Sequence, residues 1–241
     1  MKKFLRILYQ PYKWLIFAPL LVCTTFLFGA LAFLGAALTG PRFGSIFGVI
    51  WARVNSIVTP MVVETRGKLN IDKTQSYVIV SNHQSQYDIF VLYGWLGIDF
   101  KWVMKMELRK VPALGIACEK IGHIFIDRSN TEAALRSLDE AKSKIVNGTS
   151  VIFFPEGTRS LDGNLGNFKK GAFKMALDLG IPILPVTISG TRAILPTKSF
   201  DLFPGRATMT IHPPVDIKGY DSGNVKALID KTRDIIASVP R

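Results

Sequence analysis

The amino-acid sequence predicts an α/β fold, a single αβ-sandwich domain with a largely parallel sheet over residues 61–241. Short apolar segments alternate there with longer helix-like segments, which is typical of a parallel sheet covered by helices. No internal repeat, linker or low-complexity tract divides these residues, so one domain is expected. Residues 1–60 include an uncharged apolar stretch, and we expect them to form two membrane-associated helices ahead of the domain.

The composition favours a folded protein with an anionic partner. Apolar residues make up 48% of the 241 residues, so a sizeable core is available. The net charge of +12 points to nucleic acid, an anionic membrane surface or a phosphorylated substrate. The two cysteines, Cys23 and Cys118, form neither a disulfide framework nor a metal-ligand spacing, so no metal is expected.

The N-terminal region begins with a long apolar segment. Residues 14–41 carry no charge, and residues 20–38 are almost wholly apolar. At about 1.5 Å per residue, a helix of this length can cross a hydrocarbon core of roughly 30 Å. A signal peptide or a buried core helix is the competing interpretation, but the apolar core of a signal peptide usually has only about 7–15 residues.

The following segment predicts an amphipathic helix. Apolar residues recur at helical spacing from Phe43 to Met61. Arg53 would make a second crossing costly, by about 2.5–3.5 kcal/mol at the bilayer centre, so a helix lying in the interface fits better. The alternative is an ordinary helix that faces the core. A single crossing would place the domain outside, whereas a hairpin that returns would keep it on the cytoplasmic side, and both topologies stay open.

Seven strands and five helices are predicted in the domain. The strands are short apolar runs bounded by turn residues, at 62–66, 77–81, 102–105, 124–126, 151–154, 183–189 and 207–212. The helices show apolar residues at helical spacing, at 88–96, 112–121, 131–147, 170–179 and 225–237. For the third helix, Asn130 or Thr131 is the expected cap, and Asn147 with Gly148 is the expected end.

The strand at 77–81 runs into a polar turn that contains His83 and Asp88. Residues five apart on one helix point about 140° away from each other, so these two side chains meet only if the chain turns between them. Asn82 and Ser85 favour such a turn. The Asp88 carboxylate would then accept from one ring nitrogen and leave the other as a base for a hydroxyl. The alternative is a capping aspartate beside a structural histidine.

A second polar loop, residues 155–160, follows the strand at 151–154. Open α/β sheets place ligands at such strand ends. Gly157 permits close approach of the backbone, and Arg159 offers a planar fork for phosphate oxygens. We therefore take Glu156, Gly157, Thr158 and Arg159 as candidate substrate-binding residues. A purely structural turn with a Glu156–Arg159 pair is the alternative.

Two further cations are weaker candidates for a phosphate site. Arg128 ends the Phe125-Ile126-Asp127-Arg128 segment, and Lys105 ends its own predicted strand. A solvated lysine is the alternative for Lys105. The prolines in the strand at 183–189 and just before it predict an edge or bulged position, or a framework role. Lys169, Lys170 and Lys174 are interpreted as a solvated or membrane-facing surface.

The polar segments resemble the motifs of a known family. The segment from Asn82 to Asp88 resembles the NHxxxxD motif of the glycerolipid acyltransferases. Residues 125–128, 154–160 and 181–186 are similar to the second, third and fourth blocks of that family, in the same order. The resemblance covers roughly residues 60–215. The first and third blocks most resemble the 1-acylglycerol-3-phosphate acyltransferases, the bacterial enzymes called PlsC.

The resemblance implies transfer of a fatty acyl group to the free hydroxyl of lysophosphatidic acid, forming phosphatidic acid. Acyl-CoA or acyl-carrier protein would be the donor and co-substrate, and no separate cofactor is implied. His83, oriented by Asp88, would act as general base for direct attack on the thioester. The sequence lacks a GxSxG elbow, so a covalent acyl-serine is not indicated.

The implied partners are the lysolipid, the acyl donor and an anionic membrane surface. The implied location is the inner, cytoplasmic membrane, with the catalytic domain facing the cytoplasm where the donors occur. Two alternatives stay open: an acyltransferase for a different lysolipid, and a non-catalytic membrane-anchored binder of anionic lipid. Nucleic-acid binding is not expected, because most aromatic residues lie in apolar runs instead of alternating with cations.

Overall fold

The computed structural model of the protein describes residues 7, 9–127, 129–145 and 147–240. The strands are β1 Met61–Arg66, β2 Val78–Ser81, β3 Phe100–Lys105, β4 Ile124–Ile126, β5 Ser150–Phe153, β6 Ile183–Ser189 and β7 Gly205–Ile211. The helices are α1 Ala18–Thr39, α2 Pro41–Val58, α3 Asp88–Trp95, α4 Leu114–Ile121, α5 Thr131–Ala141, α6 Gly171–Leu179, α7 Thr191–Ile194 and α8 Val225–Ala237.

The strands form one sheet in the order β1-β7-β6-β2-β5-β3-β4. Each neighbouring pair is parallel except β6 with β7, so the predicted largely parallel α/β sheet is confirmed. β2 and β5 lie side by side, with Val80 opposite Phe153. Because the carboxyl ends of parallel strands meet at one edge, the turn after β2 and the loop after β5 become neighbours.

Helices cover both faces of the sheet. Successive residues of β2 point to opposite faces, so Ile79 packs with α2 and α3 while Val78 and Val80 pack with α5, α6 and α8. This two-sided burial explains why the central strands are continuous apolar runs rather than alternating ones.

Pro185 lies at a bulge inside the sheet. β6 is flanked by β7 and β2, so the expectation of an edge strand is wrong. Val186 pairs with Ile211, but Ile183 bridges Val215, so β6 has one residue fewer than the opposite chain over this interval. A bulge leaves a backbone position outside the regular ladder, which accommodates a residue without an N–H group. The extra residue lies on the chain after β7, opposite Pro185, so the prolines do not mark a bulged strand and Pro185 is a framework residue inside the sheet.

The end of α5 and the presence of α7 differ from the sequence prediction. α5 ends at Ala141 instead of residue 147, because the chain tightens into a 3-10 turn at Lys142–Lys144. Asn147 and Gly148 have positive φ values of 50° and 79° and turn the chain into β5. The short helix α7 was not predicted, since four residues give too little periodicity to be recognised.

The N-terminal helices form an antiparallel hairpin that lies against the domain. Gly40, with a φ of 108°, turns the chain directly from α1 into α2. The two helices pack closely at Gly44, where an added Cβ would lie 2.7 Å from the Ala32 carbonyl oxygen. Trp51 Nε1 also donates to Thr25 Oγ1 at 3.1 Å. The two helices run in opposite directions, which is the arrangement that the returning topology requires.

The hairpin turns its apolar side chains outward. On α2 the buried residues are small or polar, among them Gly44, Ala52 and Asn55. Its large apolar residues include several exposed ones, of which Ile57 is 72% accessible. The opposite face of the helix packs on the domain, where Ala52 lies in the core and Val49 and Val58 pack against it. The helix spanning Tyr9–Thr39 contains an 18-residue window with a mean hydropathy of 2.3 and is long and apolar enough to cross a membrane.

Candidate active site

The side chains of His83 and Asp88 meet, as the sequence predicts. His83 Nδ1 lies 2.8 Å from Asp88 Oδ2. A carboxylate only accepts hydrogen bonds, so we assign the proton to Nδ1, which leaves the lone pair on Nε2 free for a substrate proton. The His83 side chain is 14% exposed, so the imidazole is accessible to a substrate, whereas Asp88 is fully buried.

The turn between the two residues folds around the Asp88 carboxylate. The backbone N–H groups of Gln84 and Ser85 donate to Asp88 Oδ2 at 2.7 and 2.9 Å. These bonds compensate the buried charge, because a buried carboxylate requires hydrogen-bond donors. The same bonds fix the direction of the Asp88 carboxylate, and the carboxylate in turn holds the imidazole in one orientation.

Thr191 completes this arrangement from the other side. Its hydroxyl donates to Asp88 Oδ1 at 2.5 Å, and the residue is fully buried. Thr191 follows Gly190, whose φ of 83° turns the chain from β6 into α7. Sequence reasoning missed Thr191 because it lies 103 residues from Asp88 along the chain. Only the adjacent Gly190 hinted at a special backbone position.

The loop after β5 forms hydrogen bonds with the main chain of His83. Glu156 Oε1 accepts from the His83 N–H at 2.8 Å, and Glu156 Oε2 accepts from the Gly166 N–H at 2.8 Å. The Ser160 N–H donates to the His83 carbonyl oxygen at 2.8 Å. Phe154 stacks on the imidazole, with ring centroids 3.8 Å apart. Glu156 therefore positions the histidine, and within the described residues it forms no ion pair with Arg159.

Two cations lie on the same loop. Arg159 and Thr158 are exposed, and among the described residues the Arg159 side chain has no hydrogen bond or ion pair. Gly157 has a φ of 76°, and Lys169 Nζ would lie 2.9 Å from a Cβ placed there. The Lys169 N–H donates to the Pro155 carbonyl at 2.9 Å. Lys169 thus lies across this loop and is exposed, in agreement with the solvated surface that the sequence predicts.

The structure describes only one of the two weaker candidates for a phosphate site, Lys105 and Arg128. Lys105 is exposed at the carboxyl end of β3. Because β3 is parallel to β5, with Trp102 opposite Ile152, Lys105 lies at the same edge of the sheet as the His83 turn. Arg128 falls outside the described residues.

β6 begins within the fourth sequence block and supplies framework contacts through Ile188, just beyond that block. Asn82 Nδ2 donates to the Ile188 carbonyl at 2.9 Å, and the Ile188 N–H donates to Asn82 Oδ1 at 2.8 Å. Gln84 Nε2 donates to the same carbonyl. β6 therefore fixes the start of the turn that carries His83.

An apolar surface reaches the edge of the site. The Ser85 hydroxyl donates to the Leu195 carbonyl at 2.7 Å, which ties the His83 turn to the chain after α7. Further along that segment, Phe200 is 79% exposed and packs on Trp14, with ring centroids 6.4 Å apart. Lys13 Nζ donates to the Phe200 carbonyl at 2.7 Å. The N-terminal segment thus joins the chain that holds the turn.

Comparisons with known proteins show the family of the chain. A family model described as Acyltransferase matches residues 62–189. The chain is 35% identical over 198 residues to 1-acyl-sn-glycerol-3-phosphate acyltransferase BAT2, chloroplastic, of Brassica napus, a match covering 81% of the chain and 56% of that protein. It is 35% identical over 181 residues to 1-acyl-sn-glycerol-3-phosphate acyltransferase alpha of Mus musculus, covering 74% and 64%.

The chain spans about half the length of the curated relatives that it matches, with 56%, 47% and 49% of three of them covered. It is also similar to a solved structure, that of the 1-acyl-sn-glycerophosphate (LPA) acyltransferase PlsC from Thermotoga maritima. That match has a TM-score of 0.77 and 27% identity and covers both chains completely. Since the family model covers more than half of the 241 residues, the chain belongs to the acyltransferase family.

Proposed function

We propose that the protein transfers a fatty acyl group from a thioester donor to the free hydroxyl of lysophosphatidic acid, forming phosphatidic acid. The observation that carries this proposal is the hydrogen-bonded His83–Asp88 pair, held beside a cationic loop at one sheet edge. The donor is acyl-CoA or acyl-carrier protein, since both present the acyl group as a thioester.

His83 acts as the general base. The lysolipid hydroxyl oxygen attacks the thioester carbonyl carbon while Nε2 takes the hydroxyl proton. The carbon–sulfur bond then breaks, and the thiol leaves with the proton returned from His83. Asp88 holds the imidazole and stabilises its protonated form, and such base catalysis contributes about 10²–10⁴-fold.

Arg159 and Lys169 bind the acceptor phosphate, with Lys105 as a further cation at this edge. Arginine binds phosphate oxygens through its planar fork, and lysine supplies a point charge. Arg159 is exposed and has no ion pair among the described residues, which supports this role. Gly157 leaves room for the Lys169 side chain across the loop.

The hairpin holds this site against the bilayer. The outward apolar side chains of α1 and α2 give a surface that water solvates poorly and lipid accommodates well. Trp14 and Phe200 continue that surface to the chain that carries the site. The returning hairpin keeps the domain on one side, and the proposed side is the cytoplasmic face of the inner membrane, where the donors occur.

Replacing Arg159 by glutamine tests the acceptor. We expect the variant to lose about 10–100-fold in kcat/KM for lysophosphatidic acid, mainly through KM, because a charge-assisted bond contributes roughly 1.5–3 kcal/mol. Its transfer to monoacylglycerol, which lacks the phosphate, should change little. The measurement uses purified protein, labelled acyl-CoA and lysophosphatidic acid, lysophosphatidylcholine and monoacylglycerol as acceptors.

The matched control is Arg206→Gln, which removes an exposed arginine from β7. It should keep the kinetics of the original protein with each acceptor. If the unchanged protein prefers another lysolipid, the acceptor assignment is wrong but the reaction class stands. If Arg159→Gln slows transfer to lysophosphatidic acid and monoacylglycerol equally, the phosphate role of Arg159 is wrong.

A further inference from the structure

A second cleft, of about 560 Å³, opens at the hairpin turn. Its walls are the Thr39–Arg42 turn, the carboxyl end of α4 and the residues just before β3 and β5, Asp99 and Thr149. The His83 turn follows the carboxyl ends of the parallel strands, whereas this cleft lies at their amino ends. We call it the basic cleft, and it is separate from the site described above.

The basic cleft carries more cations than carboxylates. The cationic lining residues are Arg42, Lys101, Lys120 and Lys144, and the acidic ones are Asp99 and Glu119. Both carboxylates are already engaged. Asp99 Oδ2 lies 3.2 Å from Lys101 Nζ and 3.8 Å from Arg42 Nε, and Glu119 pairs with Arg109.

Lys120 and Lys144 therefore remain uncompensated. In the part of the chain that the structure describes, neither has a carboxylate within 4.0 Å. Positive charge around the cleft also lowers the pKa values of His123 and Lys101. Burial first, and then the charges of Lys101 and Lys144, lower the pKa of His123 to about 3. Burial lowers the pKa of Lys101, and the charges of Arg42 and Lys144 lower it further, although Asp99 opposes the change.

The cleft lies where the apolar outer surface ends. Leu38, two residues before the turn, is 82% exposed, and Phe43 is exposed just after it. Ile116, one turn before Lys120 on α4, is also exposed. In a bilayer, the boundary between the apolar lipid tails and the phosphate groups lies at the edge of the hydrocarbon core. Apolar side chains next to lysine and arginine fit that boundary.

We propose that the basic cleft binds the phosphate of an anionic phospholipid, with Lys120 and Lys144 as its ligands and the acyl chains against the hairpin. This inference rests on the proposed membrane placement but not on the acyl-transfer reaction. The bound lipid would fix the height of the hairpin turn in the bilayer and thereby the position of the site at the other edge of the sheet.

Vesicle binding by the full chain tests the proposal. The vesicles are phosphatidylcholine alone, or phosphatidylcholine with phosphatidylglycerol, at fixed salt. We expect the original protein to prefer the anionic vesicles. Lys120→Gln with Lys144→Gln should reduce that preference about tenfold or more, since each basic residue near an anionic surface contributes substantially to binding. Binding to neutral vesicles should not change.

The matched control is Lys218→Gln with Lys231→Gln, two exposed lysines that do not line the basic cleft. This control should keep the preference for anionic vesicles. The double variant Lys120→Arg with Lys144→Arg retains both positive charges and should keep that preference as well. Equal losses in the two glutamine pairs would overturn the site in favour of general charge attraction. Loss in the arginine pair as well would also overturn it, since a charge-preserving change should be tolerated.

Native mass spectrometry gives a second readout that separates the sources of phosphate. We expect one phosphatidylglycerol to remain on the original protein and none on the Lys120/Lys144 glutamine variant. Retention of phosphatidylglycerol by that variant, or equal binding of soluble glycerol phosphate by the original protein, would overturn the lipid assignment. If the original protein binds neither kind of vesicle, the membrane placement itself is wrong.

Discussion

We expect His83→Ala to lower kcat for acyl transfer to lysophosphatidic acid by roughly 10²–10⁴-fold, the usual contribution of a general base. Alanine removes Nε2, which would take the hydroxyl proton, but leaves the backbone bonds of residue 83 to Glu156 and Ser160 in place. The loop should therefore keep its position, and KM should change much less than kcat. Steady-state kinetics with labelled acyl-CoA provide the measurement.

The control for this substitution lies in the same turn. Gln86 is exposed, and Gln86→Ala should keep nearly full activity. Vesicle binding should be the same for both variants and for the original protein. Transfer by His83→Ala within a few fold of the original rate would contradict the general-base role, and it would favour a non-catalytic or differently catalysed function.

Asp88→Asn should lower kcat by a comparable factor, about 10²–10⁴-fold, for a different reason. The asparagine oxygen can occupy the place of Oδ2 and keep the bonds from His83, Gln84 and Ser85. Its NH₂ group then faces Thr191, whose hydroxyl can accept instead of donate. The geometry would survive, but the charge that stabilises the protonated imidazole would be lost.

The measurement combines kcat with the midpoint of thermal unfolding. A large fall in kcat with little change in the midpoint is the expected result. Thr191→Ser serves as the matched control, since it keeps the hydroxyl that Asp88 accepts from, and it should retain most of the activity. Asp88→Asn with nearly unchanged kcat would show that the carboxylate charge is not needed, and the proposed role of Asp88 would then be wrong.

The sequence predicts the sheet and the central pair of residues for local reasons. β2 and β5 are buried on both faces, so they read as continuous apolar runs that stop at polar residues. His83 and Asp88 are only five residues apart, so the turn between them determines whether they meet. Asn82 and Ser85 are turn-forming residues that can be recognised without any tertiary information.

Other parts of the site depend on contacts that the sequence does not encode locally. Thr191 reaches Asp88 across 103 residues, and Lys169 reaches Gly157 through the return of the chain toward α6. Glu156 was expected at the substrate, but its carboxylate is directed to the His83 backbone. Which group a polar side chain contacts depends on how the strands are ordered in the sheet.

The role of the hairpin was ambiguous for a similar reason. The same apolar stripe on α2 suits a protein core or a lipid surface, because both environments exclude water. In the structure α2 meets both environments, since Ala52 lies in the domain core with Trp51 packed against it, whereas Ile57 and other large apolar side chains are exposed. The bulge at Pro185 also requires pairing with β7, which a single strand does not reveal.

In the proposed mechanism the acceptor hydroxyl attacks the thioester directly, with His83 as base. Direct attack can be tested by mixing the protein with an equal amount of labelled acyl-CoA in the absence of acceptor. We expect no labelled protein and no burst of free CoA, with product appearing only after lysophosphatidic acid is added. A stoichiometric acyl-protein that passes its label to lysophosphatidic acid would contradict direct attack.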